Sequence, residues 1–148
     1  MAKLRTLWVL HTTSTKADAD TENGFRLVIY STINPNAILA VLPFPDLPHD
    51  ERERGRTDEY RFDVRKLDVD MFGFNEDNFC IQILGNDMWL PRTVWVIGQD
   101  ATGVRQLLAS VPKWPDDLWF STDPSEGEGM RCLDVPAPSL AARAQPED

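Results

Sequence analysis

The sequence predicts an all-β domain, an antiparallel β-sandwich of about eight strands with one short helix. Three observations point there. Short segments alternate apolar and polar side chains, turn-forming residues separate them, and only one segment carries helical spacing. Each such strand offers one apolar face, and two sheets packed face to face bury them all. A closed barrel is the alternative architecture.

The elements follow in order. Residues 4–12 centre on Trp8, Val9 and Leu10, and residues 25–31 place Phe25, Leu27 and Ile29 on one face. Residues 37–42 form a continuous apolar run compatible with a buried strand. In 58–64, Tyr60, Phe62 and Val64 face one way and Glu59, Arg61 and Asp63 the other. Residues 79–84 set Phe79, Ile81 and Ile83 against Cys80, Gln82 and Leu84. Residues 93–97 are β-branched and aromatic, and 118–122 and 130–135 close the series. The helix is predicted over 102–110, where Val104, Leu107, Leu108 and Val111 recur at helical spacing before Pro112. The stretch 43–56, with three prolines and many charges, reads as a loop, and Gly85-Asn86-Asp87 as a turn. The domain is expected over 1–136, with 137–148 a flexible tail of Ala, Pro and polar residues.

Composition narrows the function. The chain has 148 residues, 42% hydrophobic and 26% charged, which suits one globular domain. Its net charge of −9 disfavours a nucleic-acid partner, because phosphate backbones would be repelled. No run reaches the length of a membrane span, and the start lacks a long apolar core and a small-residue cleavage site, so a cytoplasmic location is expected. Export without a cleaved signal stays open. Cys80 and Cys132 are read as thiols of a reducing compartment, with one disulfide between them as the other reading.

Three segments resemble the PLAT (lipoxygenase homology) domain. Asp20-Thr21-Glu22-Asn23-Gly24-Phe25-Arg26-Leu27-Val28-Ile29-Tyr30 is similar to that family's opening turn and strand. Glu53-Arg54-Gly55-Arg56-Thr57-Asp58-Glu59-Tyr60-Arg61-Phe62 resembles its Arg-Gly-x-Thr-Asp-x-Phe segment. Ile81-Gln82-Ile83-Leu84-Gly85-Asn86-Asp87-Met88-Trp89-Leu90-Pro91 resembles the strand and acidic turn before its Trp-containing strand. Order and rough spacing agree over residues 5 to about 99. The family's Pro-x-Trp-Phe is missing, and residues 101–148 have no counterpart in the resemblance. The resemblance implies a module that binds a protein or lipid surface, often with calcium.

The residues also have a reading of their own. Thr57 and Asp58 can bond their own backbone at a strand start, and Gly55 can supply a positive φ. Asp18, Asp20 and Glu22 form an acidic loop able to ligate a hard cation such as Ca²⁺. An EF-hand is excluded: the glycine comes one place late and an extended strand follows. A site would need a second loop, and the PLAT resemblance implies that Asn86 and Asp87 supply it. The competing reading is an ordinary solvated loop.

Met88, Trp89 and Leu90 lie in a turn between strands, where an exposed aromatic would suit contact with a partner or membrane. The competing reading folds Trp89 back onto the core. Trp114 and Trp119 read as packing residues. His11 and His49 have no evident third partner, so no catalytic residues are assigned. The expected function is non-catalytic recognition of a protein partner or lipid surface through the end loops. A small enzyme or small-ligand binder using a cleft of the sandwich is the rival class.

Overall fold

Alternation along the chain resolves into two four-stranded antiparallel sheets. The structure, a computed structural model, describes residues 2–16, 24–34, 36–44, 55–74, 78–84, 88–123, 125 and 127–134. The strands are β1 (Leu4–Thr13), β2 (Phe25–Tyr30), β3 (Ile38–Pro43), β4 (Thr57–Asp63), β5 (Phe79–Ile83), β6 (Pro91–Asp100), β7 (Arg105–Val111) and β8 (Met130–Cys132). One sheet runs β4-β1-β6-β7 and the other β3-β2-β5-β8. The expected tail, 137–148, lies outside the described residues.

The core lies between the sheets. Leu7 and Val9 of β1, Tyr60 of β4 and Val94 and Val96 of β6 meet Leu27 and Ile29 of β2 and Phe79, Ile81 and Ile83 of β5, all buried. These are the residues that period-two alternation places on one face, and each buried apolar side chain contributes about 1.5–3 kcal/mol. Phe25, Phe120 and Trp89 extend the cluster as a set of edge-on and stacked rings.

Several expectations are corrected. The helix at 102–110 is absent; most of that stretch is strand β7, and the helical content among the described residues is a 3-10 turn at Arg65–Leu67. Asp100 makes the hairpin that replaces it. Its Oδ1 accepts from the N–H and hydroxyl of Thr102, at 2.9 and 2.7 Å, and from the N–H of Val104 at 3.0 Å, while Gly103 takes φ 91°. In β7 the register shifts: Ala109 opposes Val96, but Leu107 opposes Ile97. Leu108 is the extra residue of a bulge and turns into the core. The bulge places Leu107 and Leu108 side by side in an otherwise alternating strand, which imitates helical spacing.

The strand expected over 118–122 is reduced to bridges at Phe120, which pairs with Trp89 and Glu128. The run 37–42 is not a buried strand: β3 is the edge of its sheet, and Ile38 is 56% exposed. The thiol reading of the cysteines is also corrected. Antiparallel pairing of β5 with β8 sets Cys80 opposite Cys132, and the two form a disulfide.

Candidate functional site

The connections that carry the predicted site leave the sandwich at one end. The chain leaves β1 at Thr13 and re-enters at Phe25; it leaves β5 at Ile83 and re-enters at Pro91. The roots of these two connections are hydrogen-bonded to each other. Leu84 N–H donates to the carbonyl of Gly24 at 2.9 Å, and Ser14 N–H donates to the carbonyl of Leu90 at 2.9 Å. The third connection, between β3 and β4, ends beside them. Gly55 N–H donates to Thr13 at 2.9 Å, with φ 72°, the positive value expected of this glycine. Thr57 opens β4 with its hydroxyl 2.7 Å from that of Thr12, and buried Asp58 pairs with Arg56 Nε at 3.2 Å. Asp18, Asp20, Glu22, Asn86 and Asp87 lie outside the described residues, as does His49. Among the described residues, no group of three or more His, Cys, Asp or Glu gathers as metal ligands would.

The exposed-aromatic expectation is overturned. Trp89 is 0% exposed, Leu90 is buried and Met88 is partly buried. Two attachments hold Trp89 inside: its Nε1 donates to Thr13 Oγ1 at 2.9 Å, and its backbone N–H and carbonyl both bond Phe120. A tryptophan whose N–H has a buried acceptor loses little by leaving water, so burial of its large apolar surface decides. Trp114 is buried as expected, with Nε1 donating to the carbonyl of Leu118 at 2.7 Å. His11 sits among aromatic rings, 4.9 Å from Trp89 and 5.3 Å from Tyr60 between centroids, closed off from solvent.

The outer face of the β4-β1-β6-β7 sheet carries a surface that sequence reasoning missed. Trp8, Leu10, Trp95, Ile97 and Leu107 are half-buried there, neighbours across β1, β6 and β7. Guanidinium groups flank Trp8: Arg105 lies 4.7 Å and Arg61 5.9 Å from the ring centroid, within cation–π range. Further along, Arg65 grips Asp63 in a fork, Nε to Oδ1 at 3.0 Å and Nη2 to Oδ2 at 2.8 Å. That hydrogen bond, with the Arg65 backbone N–H beside it, holds the Asp63 carboxyl below the usual carboxylate range. The outward alternation of Arg61 and Asp63 was the available signal; their assembly with Arg5 required the register of β1 with β4.

Two stacked antiparallel four-stranded sheets, with the roots of three connections hydrogen-bonded together at one end, are the frame of a PLAT-like or C2-like β-sandwich, and that is the fold of this chain. No family model matches the sequence, and no curated protein matches it. Solved structures do. Alpha toxin from Clostridium absonum superposes with a TM-score of 0.69 at 18% identity, over 90% of this chain and 32% of the toxin. Alpha-toxin of Clostridium perfringens, from an avian strain, gives 0.65 at 15% identity, over 89% of this chain and 32% of the toxin. Coral 8R-lipoxygenase, described as showing calcium activation via a C2-like domain, gives 0.57 at 17% identity, over 93% of this chain and 19% of the enzyme. The chain therefore spans about a third of each toxin and a fifth of the lipoxygenase, and the likeness is one of fold.

Proposed function

We propose that the chain is a non-catalytic binding module that docks on a lipid surface or protein partner through its loop end, with calcium assistance. The observation that supports this is the pairing of the loop roots, Gly24 with Leu84 and Ser14 with Leu90. It starts the acidic segment holding Asp18, Asp20 and Glu22 and the segment holding Asn86 and Asp87 from neighbouring points. Their carboxylate and amide oxygens are the hard donors that Ca²⁺ takes. The calcium-activated C2-like domain of coral 8R-lipoxygenase supports the same reading by likeness of fold.

Thermal melting with added metal tests the calcium part. An ion that binds only the folded state stabilises it by RT ln(1 + [L]/Kd), about 2.7 kcal/mol at a hundredfold excess over Kd. The melting temperature should rise in millimolar Ca²⁺, less in Mg²⁺, and not at all in a variant carrying Asp20→Asn and Asp87→Asn. Co-sedimentation with phosphatidylcholine–phosphatidylserine vesicles, with Ca²⁺ or EDTA, tests the surface. Calcium-dependent sedimentation selects a lipid surface, and calcium-dependent capture of a protein on the immobilised chain selects a protein partner. Melting curves unmoved by Ca²⁺ and EDTA overturn the calcium role, and failure of both binding assays overturns the module reading.

A further inference from the structure

The opposite end of the sandwich carries a second polar site. A groove of about 480 Å³ opens between Arg5, Thr6, Arg61, Asp63 and Arg65. Arg5 lies near the start of β1, and the register pairs Thr6 with Asp63, the last residue of β4. The acidic-loop roots lie past the far end of β1, nine residues from Arg5 at Ser14, roughly 30 Å away at strand rise. The groove's volume lies within the roughly 300–1,000 Å³ range of small-ligand sites.

Its charges do not balance. The lining holds three guanidinium groups and one carboxylate, and that carboxylate is committed to Arg65 through two side-chain contacts and the Arg65 backbone N–H at 3.2 Å. Among the described residues, neither Arg5 nor Arg61 forms a close ion pair with a carboxylate; Arg5 acts on Asp63 only as a nearby charge, and Arg61 lies over the face of Trp8. The chain has 24 acidic residues, yet in this lining three guanidinium groups share one carboxylate. An anion would relieve their mutual repulsion. Guanidinium groups present donors in a planar fork that matches phosphate oxygens, and the Thr6 hydroxyl adds another donor. Two residues along the same face of β1, a hollow of about 280 Å³ offers Trp8, Leu10 and Ile97 as an apolar wall. The juxtaposition suits a phosphate carried on an organic body.

We propose that Arg5, Arg61 and Arg65, with Thr6, bind a phosphate monoester at the end of the sandwich opposite the roots of the acidic segments. The group is either a soluble phosphate ester or a lipid headgroup, and two arms separate these sources. In the first, amide shifts of the full chain are followed by NMR during titration with inorganic phosphate and with glycerol 3-phosphate, against chloride at equal ionic strength. Saturable shifts at Thr6, Arg61 and Arg65 are expected, tighter for the ester. In the second, the chain is sedimented in EDTA with phosphatidylcholine vesicles containing phosphatidic acid, so that calcium plays no part. Sedimentation together with NMR shifts identifies a headgroup; shifts alone identify a soluble ester.

A variant carrying Arg5→Gln and Arg61→Gln should bind at least about tenfold more weakly, since each charge-assisted hydrogen bond lost costs on that order. Asp63→Asn should bind more tightly, because it releases Arg65 and removes the one carboxylate of the lining. All three side chains substituted are solvent-accessible, and a single cooperative melting transition checks that each variant folds. Shifts that chloride reproduces, or that persist undiminished in the double variant, overturn the proposal. The Asp20→Asn, Asp87→Asn variant should retain this binding in full, so loss of the calcium site and loss of the phosphate site are separately readable.

Discussion

The indole Nε1 of Trp89 donates to the hydroxyl of Thr13 at 2.9 Å, and both residues are fully buried. The bond joins the end of β1 to the segment between β5 and β6, and it explains why an aromatic in a turn faces inward. Trp89→Phe leaves the Thr13 hydroxyl buried without its donor and leaves space beside Phe25 and Phe120. The expected cost is about 2–4 kcal/mol in urea denaturation. In acrylamide quenching, the fluorescence lost in this variant should be the protected component; loss of the accessible component would place Trp89 at the surface.

Gly98 is held by packing. A Cβ there would lie 2.7 Å from Leu4 Cδ1 and 2.7 Å from Leu108 Cδ1, both on buried side chains. Leu108 is fixed by the β7 bulge and cannot retreat to the surface without dismantling it. Gly98→Ala should therefore destabilise by about 1–3 kcal/mol through overpacking. Adding Leu108→Ala makes room for the methyl group, so the double variant should lose less than the sum of the two single losses.

Acid should loosen the hairpin and the β4 end first. The Thr102 hydroxyl is the main cause that holds Asp100 below the usual carboxylate range, and the Arg65 side chain does the same for Asp63. A carboxyl whose folded pKa is depressed contributes stability that is present above its unfolded pKa, about 4, and is lost as pH falls through the folded value. Stability should thus decline below about pH 4. Asp100→Asn should flatten that decline, and carbon-detected NMR titration should find both carboxyls ionised below the usual range.

The disulfide closes a separation of 52 residues between Cys80 and Cys132. Chain-entropy reasoning puts its contribution at about 4 kcal/mol. The Cys80→Ala, Cys132→Ala variant should unfold at markedly lower urea, and the intact mass should be two hydrogens below that of the reduced chain. Disulfides persist in oxidising compartments and are rare in the reducing cytosol. Trapping the thiols by alkylation in living cells tests the cytoplasmic location expected from the sequence: alkylated cysteines support it, and protected ones place the chain in an oxidising space.

Local order was legible in the sequence alone. Side chains alternate across a strand whatever lies beside it, so Leu27 and Ile29, or Phe79, Ile81 and Ile83, declare their buried face from spacing alone. Gly55 declared its positive φ because the turn before Thr57 demands a residue without a Cβ. The PLAT-like motifs ordered the strands well enough to indicate the sandwich. What depends on partners far along the chain was settled only by the tertiary structure. Residues 105–111 became a strand because β6 offered them an edge and the Asp100 turn aimed them at it; the bulge at Leu108 then hid the period-two pattern. Trp89 turned inward because Thr13, 76 residues away, held an acceptor for it. Cys80 met Cys132 through the β5–β8 register, and Arg5 met Arg61 and Arg65 through that of β1 with β4. Conformational preference is a property of neighbouring residues, whereas register, burial and charge clustering depend on which strands pair, and the free energy of pairing is summed over the whole molecule.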